Sequence, residues 1–377
     1  FDDVSQLAAL EAEQVADKAA IPLLVHVATK VARSKALVRA LPGPVHTSVV
    51  FAVYKEHQRI LTRAEHPHGE DFLRRKLSQL SWLFGDREDA TWDLTVVDDG
   101  CPEGSGRIAA GILADVDAHG RGCVRFLAVA IAAGEPVACQ LGSTDESRKG
   151  GSIQYGMYQA ARVPRAGAHV VVFTDADLST HLAQAGLLLD PIVREHQAVA
   201  IGSRRHPASV VLKEGTRNNR GKLFIYLWKQ LLPQLRGITD TQCGFKAFRA
   251  DAMRSWIEEV TENGFAFDIE FLLRAERTAP GSVSTVPVAW IDSDAASTTT
   301  DLQPYLPMLR SVARFYRQIL PPDPSAETFA SLIESLWQED FERLLQRIPA
   351  EIADRDPTNY DEFAGITAAE LARFAGL

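Results

Sequence analysis

The sequence is poor in several features, and each shortage removes a class of function. It carries only four cysteines, Cys101, Cys123, Cys139 and Cys243, in 377 residues. That is too few for a disulfide framework, and no CxxC pair offers a zinc site, so the chain reads as one kept in a reducing compartment. No apolar run approaches the ~18–20 residues that a bilayer-spanning helix needs; the best is the short stretch from Phe126 to Ala133. No signal peptide is visible, and the first residue is Phe1 rather than Met, which fits a trimmed N-terminus. There is no Walker GxxxxGKS/T, which counts against a P-loop nucleotidase. No GxGxxG follows the first β-like run, which counts against a dinucleotide dehydrogenase. Nor is there a basic excess: Lys+Arg 40 against Asp+Glu 49 leaves a net charge of −9. Whole-chain attraction to nucleic acid or anionic lipid is therefore excluded.

What is present sorts into three stretches. With 46% hydrophobic and 24% charged residues the chain is globular rather than disordered. Residues 1–45 are Ala/Leu/Val/Lys-rich and helix-favouring, interrupted at Pro22 and closed by Pro42-Gly43-Pro44. Residues 46–320 alternate short β-branched runs with helical segments, which predicts an α/β domain with a mostly parallel, buried central sheet flanked by helices. The runs are 47–54, 93–99, 136–141, 169–177 and 198–203. Residues 321–377 form an acidic extension: from Asp323 onward the net charge is −8, against −1 for everything before it. Phe329, Leu332, Ile333, Leu336, Trp337, Phe341, Leu344, Leu345 and Ile348 keep a helical rhythm, predicting one helix from about Ala326 to Ile348 packed on the body or on a second copy of the chain.

In an open α/β sheet the ligand lies beyond the carboxyl ends of the strands. Three of the predicted strands end in chemistry: Asp98-Asp99-Gly100, Asp175-Ala176-Asp177 and Gly202-Ser203-Arg204. Arg148-Lys149-Gly150-Gly151 opens a helical stretch between the first two. Any one of these could be an ordinary turn or helix cap. Together, at successive strand ends, they suggest a nucleotide diphosphate site. Two carboxylates at i and i+2 can hold a hard cation from one side, leaving its other positions to phosphate oxygens. A basic, Gly-rich turn at a helix start suits the anion.

Read in order, SVVFAVYKEHQRI, VVDDG, RKGG, VVVFTDADLST, GSR, DTQCGFKAF and FAFDIEFLLRA resemble family 2 inverting glycosyltransferases of the GT-A fold. The likeness is to dolichyl-phosphate glucose and mannose synthases and related polyprenyl-phosphate sugar transferases, over about residues 47–300. It implies a Rossmann-like GT-A sheet, Mg²⁺ or Mn²⁺ at Asp175 and Asp177, and a nucleotide diphosphate sugar donor. UDP-glucose is favoured over GDP-mannose, because Asp240 to Lys246 is most like the glucose branch. The resemblance implies that Tyr54, Glu56, Asp98, Asp99, Lys149, Asp175, Ala176 and Gln242 hold the nucleotide sugar. Asp268, Asp240, Arg204 and Lys246 take the catalytic positions, and Arg217, Arg220 and Glu270 face the acceptor. Ser179 adds a polar contact beside the metal pair; Trp290 and Ser297 belong to a late strand and a loop that closes over the diphosphate. The acceptor is a lipid phosphate, such as a polyprenyl phosphate, or a small molecule offering a phosphate or hydroxyl.

The chain departs from the pattern in three places. AVYKEHQRI lacks the usual Pro, Asn and paired acids after the first strand. An acidic helical tail stands where many relatives carry membrane helices. The insert from Glu65 to Asp93 has no counterpart, and its His66 and His68 read as a surface loop rather than a metal pair. Cys243 reads as packing, with no His beside it in the motif. Two competing functions are a nucleotidyltransferase, which would want a Gly-rich basic loop after the first strand, and an inactive binding relative, against which both aspartates of the DxD speak. A soluble small-molecule or antibiotic glycosyltransferase is a third. Location is expected to be cytoplasmic or peripheral at the membrane, and a homodimer is a possible partner arrangement.

Overall fold

β-Branched residues are stiff at χ1 and fit a pleated sheet, and the predicted runs at 47–54, 93–99, 169–177 and 198–203 become strands. The computed structural model describes residues 3–18, 20–212, 218–291, 304–362 and 365–377. Its strands are β1 (Val45–Val53), β2 (Ala90–Asp98), β3 (Gly122–Phe126), β4 (Ala168–Thr174), β5 (Val199–Ser203), β6 (Val210–Leu212), β7 (Phe245–Arg249), β8 (Val283–Pro287) and β9 (Ala289–Ile291). Seven of them form one sheet in the order β3-β2-β1-β4-β7-β5-β8, and β6 pairs with β9 alone. All neighbours in the large sheet run parallel except β7, which is antiparallel to β4 and β5. The α/β class and mostly parallel sheet are as expected.

The sheet is buried on both faces, which is why its strands read as apolar runs instead of alternating ones. Val50, Val97, Val171 and Phe173 share one core with α6 (Gly150–Arg162), α8 (Asn218–Leu231) and α10 (Phe267–Thr278). Val49, Phe51, Val96, Val170 and Val172 share the other with α2 (Leu23–Ala40), α3 (Phe72–Phe84), α4 (Ser105–Val116) and α7 (Ala185–Arg194). Gly156 lets α6 lie close to the sheet, since a Cβ there would stand 2.6 Å from Val50 Cγ1 and 2.7 Å from Val97 Cγ2.

Two expectations about elements need correction. Residues 136–141 are not a strand: Ala138–Gln140 is a single 3₁₀ turn, and the edge strand is β3, just upstream. The apolar run that follows β3 makes α5 (Leu127–Ala132), burying Leu127 and Ala130 at helical spacing. Short apolar runs do not distinguish strand from helix. DTQCGFKAF also supplies a strand: Phe245–Arg249 forms β7, with Phe245 and Phe248 buried in the core.

The second correction concerns the acidic extension, where the single predicted helix is two, α12 (Pro324–Ser335) and α13 (Gln338–Gln346). A new helix starts at Trp337, whose amide donates to Asp340 at 2.8 Å, so Trp337 leaves the stripe and is 76% exposed. Phe329, Leu332, Ile333, Leu336, Phe341 and Leu344 are buried in the same core as α8 and α11 (Tyr305–Ile319). Each such side chain stabilises the fold by roughly 1.5–3 kcal/mol, so the tail packs on the body.

Candidate active site

Parallel register brings the strand ends level: Val53 pairs with Asp98 across β1 and β2, and Val50 pairs with Phe173 across β1 and β4. Antiparallel β7 begins where β4 ends, with Thr174 opposite Phe245. The loops after β1, β2, β4 and β5, and the loop before β7, thus share one edge.

Asp98 ends β2 and Asp99 follows it, and both are buried. Asp98 accepts from the Cys101 amide at 3.0 Å and the Gly106 amide at 2.7 Å, pinning the start of α4. Asp99 accepts from the Lys149 amide at 3.0 Å, while its Oδ1 has no hydrogen-bond partner. Burial raises the pKa of Asp99. Lys149 sits at φ 77°, uncommon for a side-chain-bearing residue. That turn points its amide to Asp99 and lets its ammonium pair with Asp175.

Asp175 and Asp177 follow β4. Burial favours the neutral acid, but Lys149 outweighs it and holds Asp175 below the usual carboxylate range. Gly244 makes room for this group, since a Cβ there would run into the Asp175 carboxylate. The Asp177 side chain accepts from the Ser179 amide at 3.0 Å and from its hydroxyl, while its carbonyl accepts from Lys76 Nζ at 2.9 Å. Ser179 thus lies against the Asp177 carboxylate. Ala176 between them is buried in the core and offers only its backbone.

Two further acids are locked by cations. Asp240 accepts from Arg204 Nε at 2.8 Å, the second guanidinium arm at 2.7 Å and the Arg204 amide at 2.7 Å. Burial alone would raise Asp240, but the guanidinium holds it at about 2. A base this weak does not take a proton near neutrality, so Asp240 positions Arg204, whose plane lies 5.4 Å from the Trp290 ring. Lys246, fully buried, donates to Asp268 at 2.8 Å and to the Cys243 carbonyl at 2.6 Å. Burial raises Asp268 despite Lys246. Cys243 is buried and its thiol is pushed up to about 12, which fits packing and not nucleophilic attack.

Other predicted residues fall differently. Glu270 is fully buried and accepts from the Thr261 amide at 3.1 Å, the Glu262 amide at 2.8 Å and Arg274 Nε at 2.8 Å. Its carboxylate staples that loop to α10, so the acceptor role is corrected to an architectural one. Glu56 is gripped by Arg59 at 3.0 Å, which also holds Glu70 at 3.0 Å, and burial raises its pKa. Tyr54 is 49% exposed beside Lys55. The Gln242 amide nitrogen is buried with no partner. Arg220 is exposed in the first turn of α8, and Arg217 and Ser297 lie outside the described residues. In the insert, His68 is exposed and its amide donates to His66 Nδ1 at 3.1 Å.

The residue missed from sequence is Lys76, in the insert that resembled nothing. It is fully buried, with Nζ under the Asp177 carbonyl and 5.6 Å from the Phe51 ring, and burial pulls it down to about 8. The available signal was its place on the apolar stripe Phe72, Leu73, Lys76, Leu77 and Leu80 of α3, all buried. A lysine at a core position needs a partner.

A mostly parallel α/β sheet whose carboxyl edge carries a DxD, a basic Gly-rich turn and cation-locked acids has the design of a nucleotide-sugar transferase. No protein-family profile matches the chain. It is 27% identical over 67% of its length to the glycosyltransferase AglD of Haloferax volcanii, covering 34% of that protein. It is 27% identical to the dolichyl-phosphate β-glucosyltransferase of Drosophila melanogaster, covering 67% of this chain and 69% of the relative. The Saccharomyces cerevisiae dolichyl-phosphate β-glucosyltransferase is 25% identical, covering 68% and 73% respectively. These relatives bear out the resemblance read from the motifs. Among solved structures, mannosyl-3-phosphoglycerate synthase from Rubrobacter xylanophilus aligns with TM-score 0.49 and 17% identity, over 78% of this chain and 81% of that one. Glucosyl-3-phosphoglycerate synthase from Mycobacterium tuberculosis, with Mn²⁺, UDP and product, aligns with TM-score 0.49 and 17% identity over 78% and 86%. Among the described residues, no helix is long and apolar enough to cross a membrane.

Proposed function

We propose that this chain is an inverting, metal-dependent hexosyltransferase that moves a sugar from a nucleotide diphosphate, UDP-glucose first, to a phosphate-bearing acceptor. The observation that carries this is Asp175 and Asp177 at the end of β4, with Lys149 paired to Asp175. The donor set fits a divalent cation held jointly with a diphosphate. Among the described residues no third His, Cys, Asp or Glu completes a protein-only cation site, so phosphate oxygens and water would fill the remaining positions. Bound there by Asp175 and Asp177, Mg²⁺ or Mn²⁺ would neutralise charge on the departing diphosphate.

The chain's own residues supply the rest. Asp99 Oδ1 is a buried acceptor without a donor, and the Gln242 amide is a buried donor without an acceptor. Buried polar atoms without partners are rare; a nucleobase N–H suits the first and a sugar hydroxyl the second. Lys149 can exchange one anion, Asp175, for another, the diphosphate. The acceptor oxygen attacks the anomeric carbon from the side opposite the diphosphate, whose oxygen leaves with the bonding electron pair. A phosphate acceptor is already anionic and needs a cation to place it, for which the part-exposed Arg204 is the candidate. A hydroxyl acceptor would need a base, for which Asp268 is the candidate because burial raises its pKa.

The test is nucleoside diphosphate release from UDP-glucose and GDP-mannose with Mn²⁺, with and without a polyprenyl phosphate or a soluble phosphorylated acceptor. Release that depends on both acceptor phosphate and metal supports the reading. Pyrophosphate release would replace it with nucleotidyl transfer.

A further inference from the structure

The same strands have a second end. At the amino-terminal ends of β4 and β5, where β7 finishes, lies a cleft of about 600 Å³ lined on one side by Arg162, Arg165, Arg249 and Arg254. Its apolar lining includes Ile192 and Val193 at the end of α7 and Pro164. Arg165 is paired with Asp93, and Arg249 with Asp251 at 2.7 Å. Arg162 lies over the Tyr158 ring at 5.2 Å, and Arg254 donates to the Ala161 carbonyl at 2.8 Å. Among the described residues neither has an ion-pair partner, so the cleft carries uncompensated positive charge.

A second observation is independent of that charge. His169, at the start of β4, lines the cleft and is only 9% exposed. Its Nε2 meets Ser48 Oγ at 3.0 Å, but its Nδ1 is buried with no hydrogen-bond partner. Burial drops the ring to about 4, so it is neutral at physiological pH and presents a polar nitrogen. A buried polar atom of this kind costs free energy unless something in the cleft satisfies it.

We propose that this cleft binds a small organic phosphate: Arg162 and Arg254 take the phosphate, His169 Nδ1 a polar atom of the ligand, and Ile192, Val193 and Pro164 its apolar part. Guanidinium groups suit phosphate through paired N–H donors, and the volume matches a small-molecule site. The proposal goes beyond the transferase reading and does not depend on it, since it uses none of the residues at the carboxyl edge.

The experiment is calorimetric titration of the full chain with phenyl phosphate and with inorganic phosphate, in EDTA so that no metal–phosphate complex forms at Asp175 and Asp177. The expected result is saturable binding of phenyl phosphate, several-fold tighter than inorganic phosphate because only the ester reaches the apolar wall. The exposed-site double variant Arg162→Ala/Arg254→Ala should weaken phenyl phosphate at least tenfold with an unchanged melting temperature, while Asp177→Ala leaves it intact. Absence of saturable binding, equal affinity for the two phosphates, or an unaffected double variant would overturn the proposal. So would loss of binding in Asp177→Ala.

Discussion

At the end of β2 the acids are held by backbone amides; Asp175 at the end of β4, Asp240 before β7 and Asp268 in the first turn of α10 are held by cations. Asp98 is spent on two amides and Asp99 on one. Asp175, Asp240 and Asp268 pair instead with Lys149, Arg204 and Lys246. An amide cannot leave, so the first arrangement fixes loop shape and leaves one chosen oxygen, Asp99 Oδ1, open. A lysine side chain can swing away, so the second stores charge that a phosphate can redistribute. One half of the edge is built to recognise, and the other to respond to charge.

The comparison breaks most visibly at the DxD. Asp177→Ala should lower turnover roughly 10²–10³-fold, the size expected when one electrostatic contact to a departing group is removed. The measurement is UDP release at saturating donor and Mn²⁺, with EDTA reproducing the loss in the unaltered chain. Near-normal turnover in either case would remove the responsive half of the comparison. Glu270 is the next test, because it is an acid held mainly by amides, two residues along α10 from cation-locked Asp268. Glu270→Gln keeps the shape and loses the charge, so it should cost roughly 2–3 kcal/mol of stability with kcat per folded molecule unchanged. Denaturant unfolding and kcat, measured together, separate this from an acceptor role.

Asp99→Asn removes the open acceptor without touching the metal pair. It should raise the KM for the nucleotide sugar about tenfold, one hydrogen bond's worth, and leave kcat within a factor of two or so. A kcat effect without a KM effect would place Asp99 among the reacting groups.

The strand ends were legible because each short apolar run stops at a charged or glycine-rich group, and a parallel sheet puts those stops on one edge. The pairings were not. Lys149 with Asp175, Arg204 with Asp240 and Lys246 with Asp268 join residues brought together only by strand order and the antiparallel β7, which no local period reveals. Glu270 was misplaced for a reason the sequence did contain. Asp268 and Glu270 are two apart on a helix, so they project to nearly opposite sides and cannot both face one acceptor. Residues 136–141 were misread as a strand because an apolar run of six residues fits either period.

Lys76 gives the smallest effect, since it reaches the DxD loop through a carbonyl and not a carboxylate. In the unfolded chain it titrates near 10.5, and in the fold burial brings it to about 8. Between those values the unfolded chain keeps the proton that the folded one has released, so rising pH favours the folded state. Below pH 8 both forms are charged, and the fold bears the full cost of burying the ammonium. Lys76→Met has similar length and no charge, so it should melt a few degrees above the unaltered protein at pH 7. That gap should narrow steadily from pH 8 to pH 10, read by paired thermal melts. Turnover should fall far less than in Asp177→Ala, because the carbonyl Lys76 holds only shapes the loop. A gap that stays constant or widens with pH would mean that the ammonium is not buried in its charged form, and that α3 supports the DxD by packing alone.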